Sequence, residues 1–183
     1  MKYQILNSSK YTFAKFVYDE IRLDDAEKIR IWRNSQVNVL RQNRALAKSD
    51  QIEYFNDHVY SELDKIHPKQ ILFAIKKESN LIGYGGVTNI SWDHLRGEIS
   101  FLLANDSQNY SEIFFNFLEF ISKLAFEEIG LQRIFTESYS FRISHIEVLE
   151  DFGFNLEGVL KCHNIIDGII VDSLIHGLVK VMK

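Results

Sequence analysis

The sequence has few of the residues on which several protein classes depend. Cys162 is the only cysteine, which excludes an intrachain disulfide and the zinc sites built from several cysteines. One proline and 9 glycines in 183 residues are too few for a collagen-like or low-complexity chain. No apolar run approaches the roughly 18 residues that cross a bilayer, and the first ten residues lack the apolar core of a signal peptide. We therefore expect a cytoplasmic protein that has neither a membrane partner nor a metal centre.

An excess of charge of one sign is also missing, since 21 basic and 25 acidic residues leave a formal net charge of −4. No global field attracts such a chain to nucleic acid, so we expect no nucleic-acid partner. Hydrophobic residues make up 46% of the chain, which excludes a disordered protein and is enough for one core. No repeat, linker or charge block interrupts the sequence. We predict one domain over residues 1–183.

The periodicity of the apolar residues predicts the element order β-α-α-β-β-β-α-β-α-β-β. The strands are predicted at 16–23, 70–77, 81–91, 97–104, 132–139, 154–163 and 169–180, and the helices at 25–34, 50–63, 110–129 and 143–152. The first dozen residues are ambiguous. Consecutive strands in the middle indicate an antiparallel meander, and the strand-helix-strand unit after it implies a parallel pair. This order predicts an α+β fold, a mixed twisted sheet with helices on both faces.

Short local patterns mark several boundaries of these elements. Asp50 and Glu53 have the spacing of a capping box that would open the second helix. The apolar face of that helix would comprise Ile52, Phe55, Val59 and Leu63. Gly130 and Gly153 occupy C-cap positions of the two later helices, and Asp167-Gly168 is a turn dipeptide that predicts the last hairpin.

Several segments, taken in order, carry a resemblance to a known family. They are residues 31–34, 81–92, 96–101, 124–134 and 148–158, followed by Asp172. Together they resemble the Gcn5-related N-acetyltransferases (GNAT) over nearly the whole chain, closest to the branch of ribosomal-protein N-terminal acetyltransferases. The resemblance implies an α/β/α sandwich whose mostly antiparallel sheet is splayed between two central parallel strands. It also implies acetyl-CoA as co-substrate and direct acetyl transfer to a primary amine in a ternary complex.

The resemblance assigns catalytic roles to a few side chains. Glu98 lies where this branch often places a carboxylate near the acceptor amine, so it would act as the base directly or through water. A strand-edge glutamate facing solvent is the equal alternative. Many members have a tyrosine acid at the position of Leu149, which cannot donate a proton. Tyr139 and Ser144 are the remaining candidates for a donor to the thiolate of CoA, and His145 is a candidate proton carrier near neutral pH.

The resemblance also places the cofactor in the gap between the two parallel strands. Main-chain groups of Phe101, Leu102 and Leu103 would pair with the pantetheine arm, and the pyrophosphate would rest on N–H groups at the start of the next helix. The loop for the pyrophosphate corresponds to Gln108, Asn109, Tyr110, Ser111, Glu112 and Ile113. The family's glycines are absent from it, although Ser111 could cap the helix. The family usually has a cofactor-binding asparagine at the position of Arg142 and often a small residue at that of His145. Both side chains are candidate cofactor ligands, and the alternative is a surface or packing role.

Residues 32–34 further resemble amino-sugar-nucleotide acetyltransferases, in which this region borders the acceptor pocket. The candidate acceptor-binding residues are Trp32, Arg33, Asn34, Asn89 and Trp92, with packing and turn formation as the alternatives. Arg41 and Arg44 add positive charge that would suit an anionic acceptor. An amino-sugar nucleotide is the first expected acceptor and a protein N-terminus the second. The alternative to an enzyme is a non-catalytic domain that lost the cofactor site, and the oligomeric state, monomer or homodimer, stays open.

Overall fold

Alternating apolar residues and closely spaced glycines in the middle of the chain form long antiparallel hairpins. The structure is a computed structural model that describes residues 2–42, 44–104 and 109–181. Its strands are β1 (Lys10–Phe13), β2 (Phe16–Glu20), β3 (Ile71–Lys77), β4 (Asn80–Ser91), β5 (Arg96–Leu103), β6 (Arg133–Tyr139), β7 (Asn155–Ile166) and β8 (Ile169–Val179). The α-helices are α1 (Ala26–Ser35), α2 (Lys48–Tyr54), α3 (Tyr110–Lys123) and α4 (Ile143–Phe152).

The strands form one mixed sheet in the order β1-β2-β3-β4-β5-β6-β8-β7. Each neighbouring pair is antiparallel except β5 and β6, which run parallel and are connected through α3. The predicted α+β fold with a mostly antiparallel sheet and one parallel pair is confirmed. No helix in the described part of the chain has the length and apolar character needed to cross a membrane.

Helices cover both faces of the sheet. The apolar face of α3, with Phe114 and Phe117, packs on one side against residues that include Val87 and Ile134. On the other side, α1 and the segment after α2 bury a second cluster that contains Leu102. The expected sandwich of helix, sheet and helix is therefore present, and each face of the sheet has its own core.

The two parallel strands part after only three paired positions. Their register runs from Arg96↔Arg133 through Gly97↔Ile134 to Glu98↔Phe135, while both strands continue beyond it. The splayed sheet that the resemblance implied is present, because β5 and β6 diverge at Glu98. The split opens beside the start of α3.

The antiparallel partner of β5 determines which main-chain groups face this split. Ala104 donates its N–H to the carbonyl of Ile82 on β4, and the register between β4 and β5 is regular from there to Glu98. Alternate residues of an antiparallel strand direct their main-chain groups to opposite edges. The N–H and C=O groups of Ile99, Phe101 and Leu103 therefore face away from β4 and toward the split.

The structure adds one element and corrects another. The ambiguous N-terminal segment contains β1, a short edge strand that pairs with β2. The predicted capping box at Asp50 is wrong: α2 begins after Ala47, and Asp50 lies in its first turn and accepts the Ala47 N–H at 2.8 Å. Of the predicted apolar face, Phe55, Val59 and Leu63 are buried as expected, whereas Ile52 is exposed and Gln51 is buried in its place.

The predicted turns are confirmed by backbone geometry. Gly130 and Gly153 close their helices with φ of 84° and 112°, the left-handed conformation that glycine adopts without strain. Asp167 and Gly168 both have positive φ, as a two-residue hairpin turn of type I′ requires. The long helix is α-helical only to Lys123 and continues to Ile129 as a π-helical segment.

Candidate active site

The divergence of β5 and β6 creates a cavity of about 380 Å³. Residues Glu98 to Phe101 form one wall and Thr136 to Tyr139 the other. Phe114 of α3, with Arg142 and His145 of α4, lies at one side of the cavity. The cavity therefore lies where the resemblance expects the cofactor and the acceptor to meet.

Strand alternation separates the cavity into two faces. Leu102 belongs to the cluster beneath α1, so Glu98, four residues earlier on β5, faces the same side. On β6, Ile134 belongs to the cluster beneath α3, which puts Ser138 on the α3 face and Glu137 on the α1 face. Two carboxylates, Glu98 and Glu137, thus lie on the α1 face of neighbouring strands.

Glu98 is held in place by donors on both of its oxygens. It is only 3% exposed, so the alternative of a solvent-facing strand-edge glutamate is wrong. Asn89, which has a positive φ at a bulge in β4, donates its amide to Oε2 at 2.7 Å. Arg41 donates to Oε1. Hydrogen bonds on both oxygens offset the cost of burying this carboxylate.

Arg41 bridges the two carboxylates of the α1 face. It contacts Glu98 through Nη2 and Glu137 through Nη1, the latter at 3.0 Å. Sequence reasoning did not assign Arg41 to the site. The sequence signal for Arg41 was the local positive charge that it shares with Arg44. No local pattern connects Arg41 with Glu98, because the two are 57 residues apart along the chain.

A second polar cluster lies where the starts of α3 and α4 meet. The hydroxyl of Tyr110 contacts Nδ1 of His145 at 2.7 Å and accepts a hydrogen bond from Arg142 at 3.1 Å. The ring of His145 stacks on Phe114 with the centroids 4.4 Å apart. Burial lowers the pKa of His145 well below its usual value, and the nearby charge of Arg142 lowers it further. Burial raises the pKa of Tyr110 to about 12.

A family model described as an acetyltransferase (GNAT) domain matches residues 19–175. The chain belongs to the GNAT acetyltransferase family. It is accordingly an N-acetyltransferase that uses acetyl-CoA. No curated protein sequence matches the chain.

Solved structures agree on the fold. The spermidine N-acetyltransferase from Vibrio cholerae in complex with CoA and spermine has a TM-score of 0.78 and 16% identity, over 90% of this chain and 95% of that one. A dodecameric structure of the spermidine N-acetyltransferase from Vibrio cholerae has a TM-score of 0.77 and 17% identity, over 90% and 94% of the two chains. At this identity the likeness shows the fold, and the substrate of this GNAT enzyme has to be argued from its own residues.

The structure separates the residues expected at the pyrophosphate loop. Gln108 lies outside the described residues. Asn109 is the N-cap residue of α3, so Ser111 lies in the first turn and is not the cap. Glu112 pairs with Lys15 of the β1–β2 turn, and Ile113 is buried in the core.

Among the described residues of that loop, Tyr110 alone contacts the two α4 side chains that line the cavity. On β5, Phe101 lines the cavity, whereas Leu103 uses its carbonyl to accept a hydrogen bond from Gln36 at 2.8 Å and Leu102 packs beneath α1. The residues whose main-chain groups face the cavity are therefore Ile99 and Phe101. Of the three expected residues, Phe101 is retained, and Ile99 takes the place expected for Leu103.

Of the residues considered as proton donors, some line the cavity and others do not. Leu149 is fully buried in the core. Tyr139 lines the cavity on the α1 face, and its hydroxyl donates to the carbonyl of Leu40 at 3.3 Å. Ser144 is exposed and does not line the cavity. Ser138, which the sequence did not suggest, places a buried hydroxyl on the α3 face with no hydrogen-bond partner in the described part of the chain.

Of the expected acceptor residues, Arg33 and Asn89 line the cavity. Asn34 instead holds the loop before α2, since its side-chain amide hydrogen-bonds both main-chain groups of Leu46. Trp32, which is part of α1, packs against the apolar cluster that this helix covers. Trp92 donates its indole N–H to the carbonyl of Pro68 at 2.9 Å. Trp32, Asn34 and Trp92 therefore have packing and loop-fastening contacts, and the cavity lining does not include them.

Proposed function

We propose that this GNAT enzyme acetylates a primary amine of a small cationic molecule held on the α1 face of the split. The observation that carries the proposal is the placement of Glu98. Its buried carboxylate lies at the last paired position of β5 and β6, where the strands part. An amine above it would be next to the thioester of an acetyl-CoA inserted into the split.

The chemistry is a direct transfer. The amine nitrogen loses a proton to Glu98 and attacks the carbonyl carbon of the thioester. The new C–N bond forms as the C–S bond breaks, and the thiolate of CoA leaves with the bonding electrons and takes a proton from water. Main-chain N–H groups of the split would stabilise the oxyanion that develops.

The residues of the split fit the cofactor. Main-chain groups of Ile99 and Phe101 face the gap beyond the last β5–β6 pair and can bond the amides of pantetheine as an added strand would. The hydroxyl of Ser138, which has no hydrogen-bond partner among the described residues, faces the same space. These groups would bind and orient acetyl-CoA from the α3 face.

The two carboxylates of the α1 face are the groups that would pair with a cationic acceptor. Glu98 and Glu137 share that face, where Arg41 is bonded to both and Arg33 also lines the cavity. The spermine in the Vibrio cholerae complex is a cationic amine of this kind. An amino-sugar nucleotide, the acceptor expected first, keeps only Arg33 of its three proposed contacts at the cavity, and a protein N-terminus gains no supporting feature. Homodimer formation stays a prediction.

The test is an acceptor panel with acetyl-CoA. It compares 1,4-diaminobutane, a nucleotide-linked amino sugar and a short peptide with a free N-terminus, and it measures CoA thiol release and the mass of the product. We expect acetylated diamine. Acetylation of the nucleotide sugar instead would contradict the cationic acceptor, and the absence of thiol release with every amine would contradict the transfer itself.

A further inference from the structure

We propose that Arg41 is a specificity-determining residue of this enzyme. Its guanidinium occupies the place of the acceptor's cationic groups, so that the preferred acceptor is a diamine that replaces it at both Glu98 and Glu137. This inference rests on the proposed function and names the acceptor class of the same site.

The first support is the geometry of the bridge. One guanidinium contacts a carboxylate on β5 and another on β6, on opposite sides of the split. A planar fork with two donor nitrogens can satisfy both oxygens at once. A ligand that takes over these contacts needs two separate cationic donors or one donor of similar span.

The second support is the unequal burial of the partners. The side chain of Arg41 is 49% exposed, whereas those of Glu98 and Glu137 are 5% and 16% exposed. The guanidinium can therefore reach solvent when it leaves the carboxylates, but the carboxylates cannot follow it. Buried carboxylates without a cationic partner are unfavourable, so a cation must replace Arg41 when it leaves.

The third support is the way the loop before Arg41 is fastened. Residues 36–41, which we call the strap, are bonded to both halves of the split sheet. Gln36 bonds Leu103 on β5, and Leu40 accepts the hydroxyl of Tyr139 on β6. Asn38 donates to Asp167 in the β7–β8 turn at 2.6 Å. The strap is thus held in place by contacts that do not involve the Arg41 side chain.

The bridge also affects the proton transfer. While Arg41 donates to Oε1 of Glu98 and Asn89 donates to Oε2, both oxygens of the base are engaged. Displacement of Arg41 frees Oε1 for the acceptor's reacting amine. The second ammonium of the diamine then pairs with Glu137, which also has His163 of β7 at 3.8 Å. An acceptor with two amines both opens the site and compensates both carboxylates, whereas an acceptor with one amine compensates only one of them.

The experiment compares the wild type with Arg41→Ala and Arg41→Gln, with Arg44→Ala as the matched control. Arg44 belongs to the same loop and pairs with Asp50, away from the two glutamates. The acceptors are 1,4-diaminobutane and butylamine, which differ in the second amine. Steady-state kinetics at saturating acetyl-CoA are combined with calorimetric titration of 1,4-diaminobutane, and circular dichroism shows whether each variant folds.

We expect the wild type to prefer 1,4-diaminobutane over butylamine. In both Arg41 variants we expect KM and Kd for the diamine to fall by about fivefold, the factor for a competing ion pair of modest strength, while KM for acetyl-CoA and the Arg44→Ala values stay unchanged. A rise in KM and Kd for the diamine, or equal use of butylamine, would overturn the proposal. Absence of turnover would refute the proposed function, whereas the calorimetric comparison would still decide the role of Arg41.

Discussion

The hydroxyl of Tyr110 lies 2.7 Å from Nδ1 of His145 and so joins the start of α3 to the start of α4. Arg142 donates to the same hydroxyl at 3.1 Å, because a guanidinium has no acceptor. A neutral imidazole ring completes this cluster without a second positive charge beside Arg142. Burial, together with the charge of Arg142, lowers the pKa of His145 well below 6.5 and so favours this neutral form.

The neutral His145 predicts a loss of stability in mild acid. Below its ordinary pKa of 6.5 the unfolded chain protonates this side chain and the folded protein does not. The unfolded state then binds more protons, so the free energy of unfolding falls as the pH decreases, by about 1.4 kcal/mol per pH unit for one group. We expect His145→Asn, whose amide oxygen can accept from Tyr110, to lose this contribution.

Urea unfolding of both proteins between about pH 5 and pH 7 measures the effect. The absolute stability of His145→Asn is also lowered by the lost stacking on Phe114, so only the slopes are compared. Parallel slopes for the two proteins would show that His145 is protonated in the folded state.

The role of Glu98 as base predicts a kinetic defect with little change in structure. Glu98→Gln keeps the size of the side chain and an oxygen for the Asn89 amide. We expect kcat to fall by roughly 10²–10⁴, the usual contribution of a general base. The rate of CoA thiol release at saturating substrates measures it. Glu137→Gln is the control, and we expect it to change KM for the acceptor more than kcat; an unaltered kcat in Glu98→Gln would remove Glu98 from the proton transfer.

Arg142 is expected to act on the cofactor side. It lines the cavity at the start of α4, where a guanidinium can pair with a CoA phosphate. We expect Arg142→Ala to raise KM for acetyl-CoA by about tenfold, since a charge-assisted pair is lost, with KM for the acceptor unchanged. Tyr110→Phe is the comparison variant, because it removes the hydrogen bond from Arg142 and leaves the charge. If Arg142→Ala raised KM for the acceptor and left KM for acetyl-CoA unchanged, Arg142 would belong to the acceptor side of the cavity.

Gly86 is expected to be irreplaceable at the centre of the sheet. A Cβ atom there would lie 1.9 Å from the carbonyl oxygen of Ile71 and 2.9 Å from Cα of Leu72, so the β3 backbone would have to move. We expect Gly86→Ala to destabilise the protein by about 3 kcal/mol or more. Gly158→Ala is the control in β7, where a Cβ meets nothing within 4 Å, and we expect a change within about 0.5 kcal/mol. Thermal unfolding of the two variants measures the difference.

Local signals in the sequence located most of the elements. The bounds of α4 agree with the prediction, because Gly153 closes a strongly periodic segment. The strand β1 was missed since four residues carry too little periodicity, and the start of α2 was misplaced because Asp50 is equally suited to the N-cap and to the first turn.

The sequence by itself determined the fold class, the family and the position of Glu98 on a central strand, since these depend on periodicity and on residue types within short segments. Only the tertiary structure decided which side chains surround Glu98. Arg41 and Glu137 are 96 residues apart in the chain, and three residues in succession, Trp32 to Asn34, face three different environments. The physical reason is that strand divergence and the fastening of the strap come from the packing of the whole sheet, and no local pattern encodes the distance between residues on separate strands.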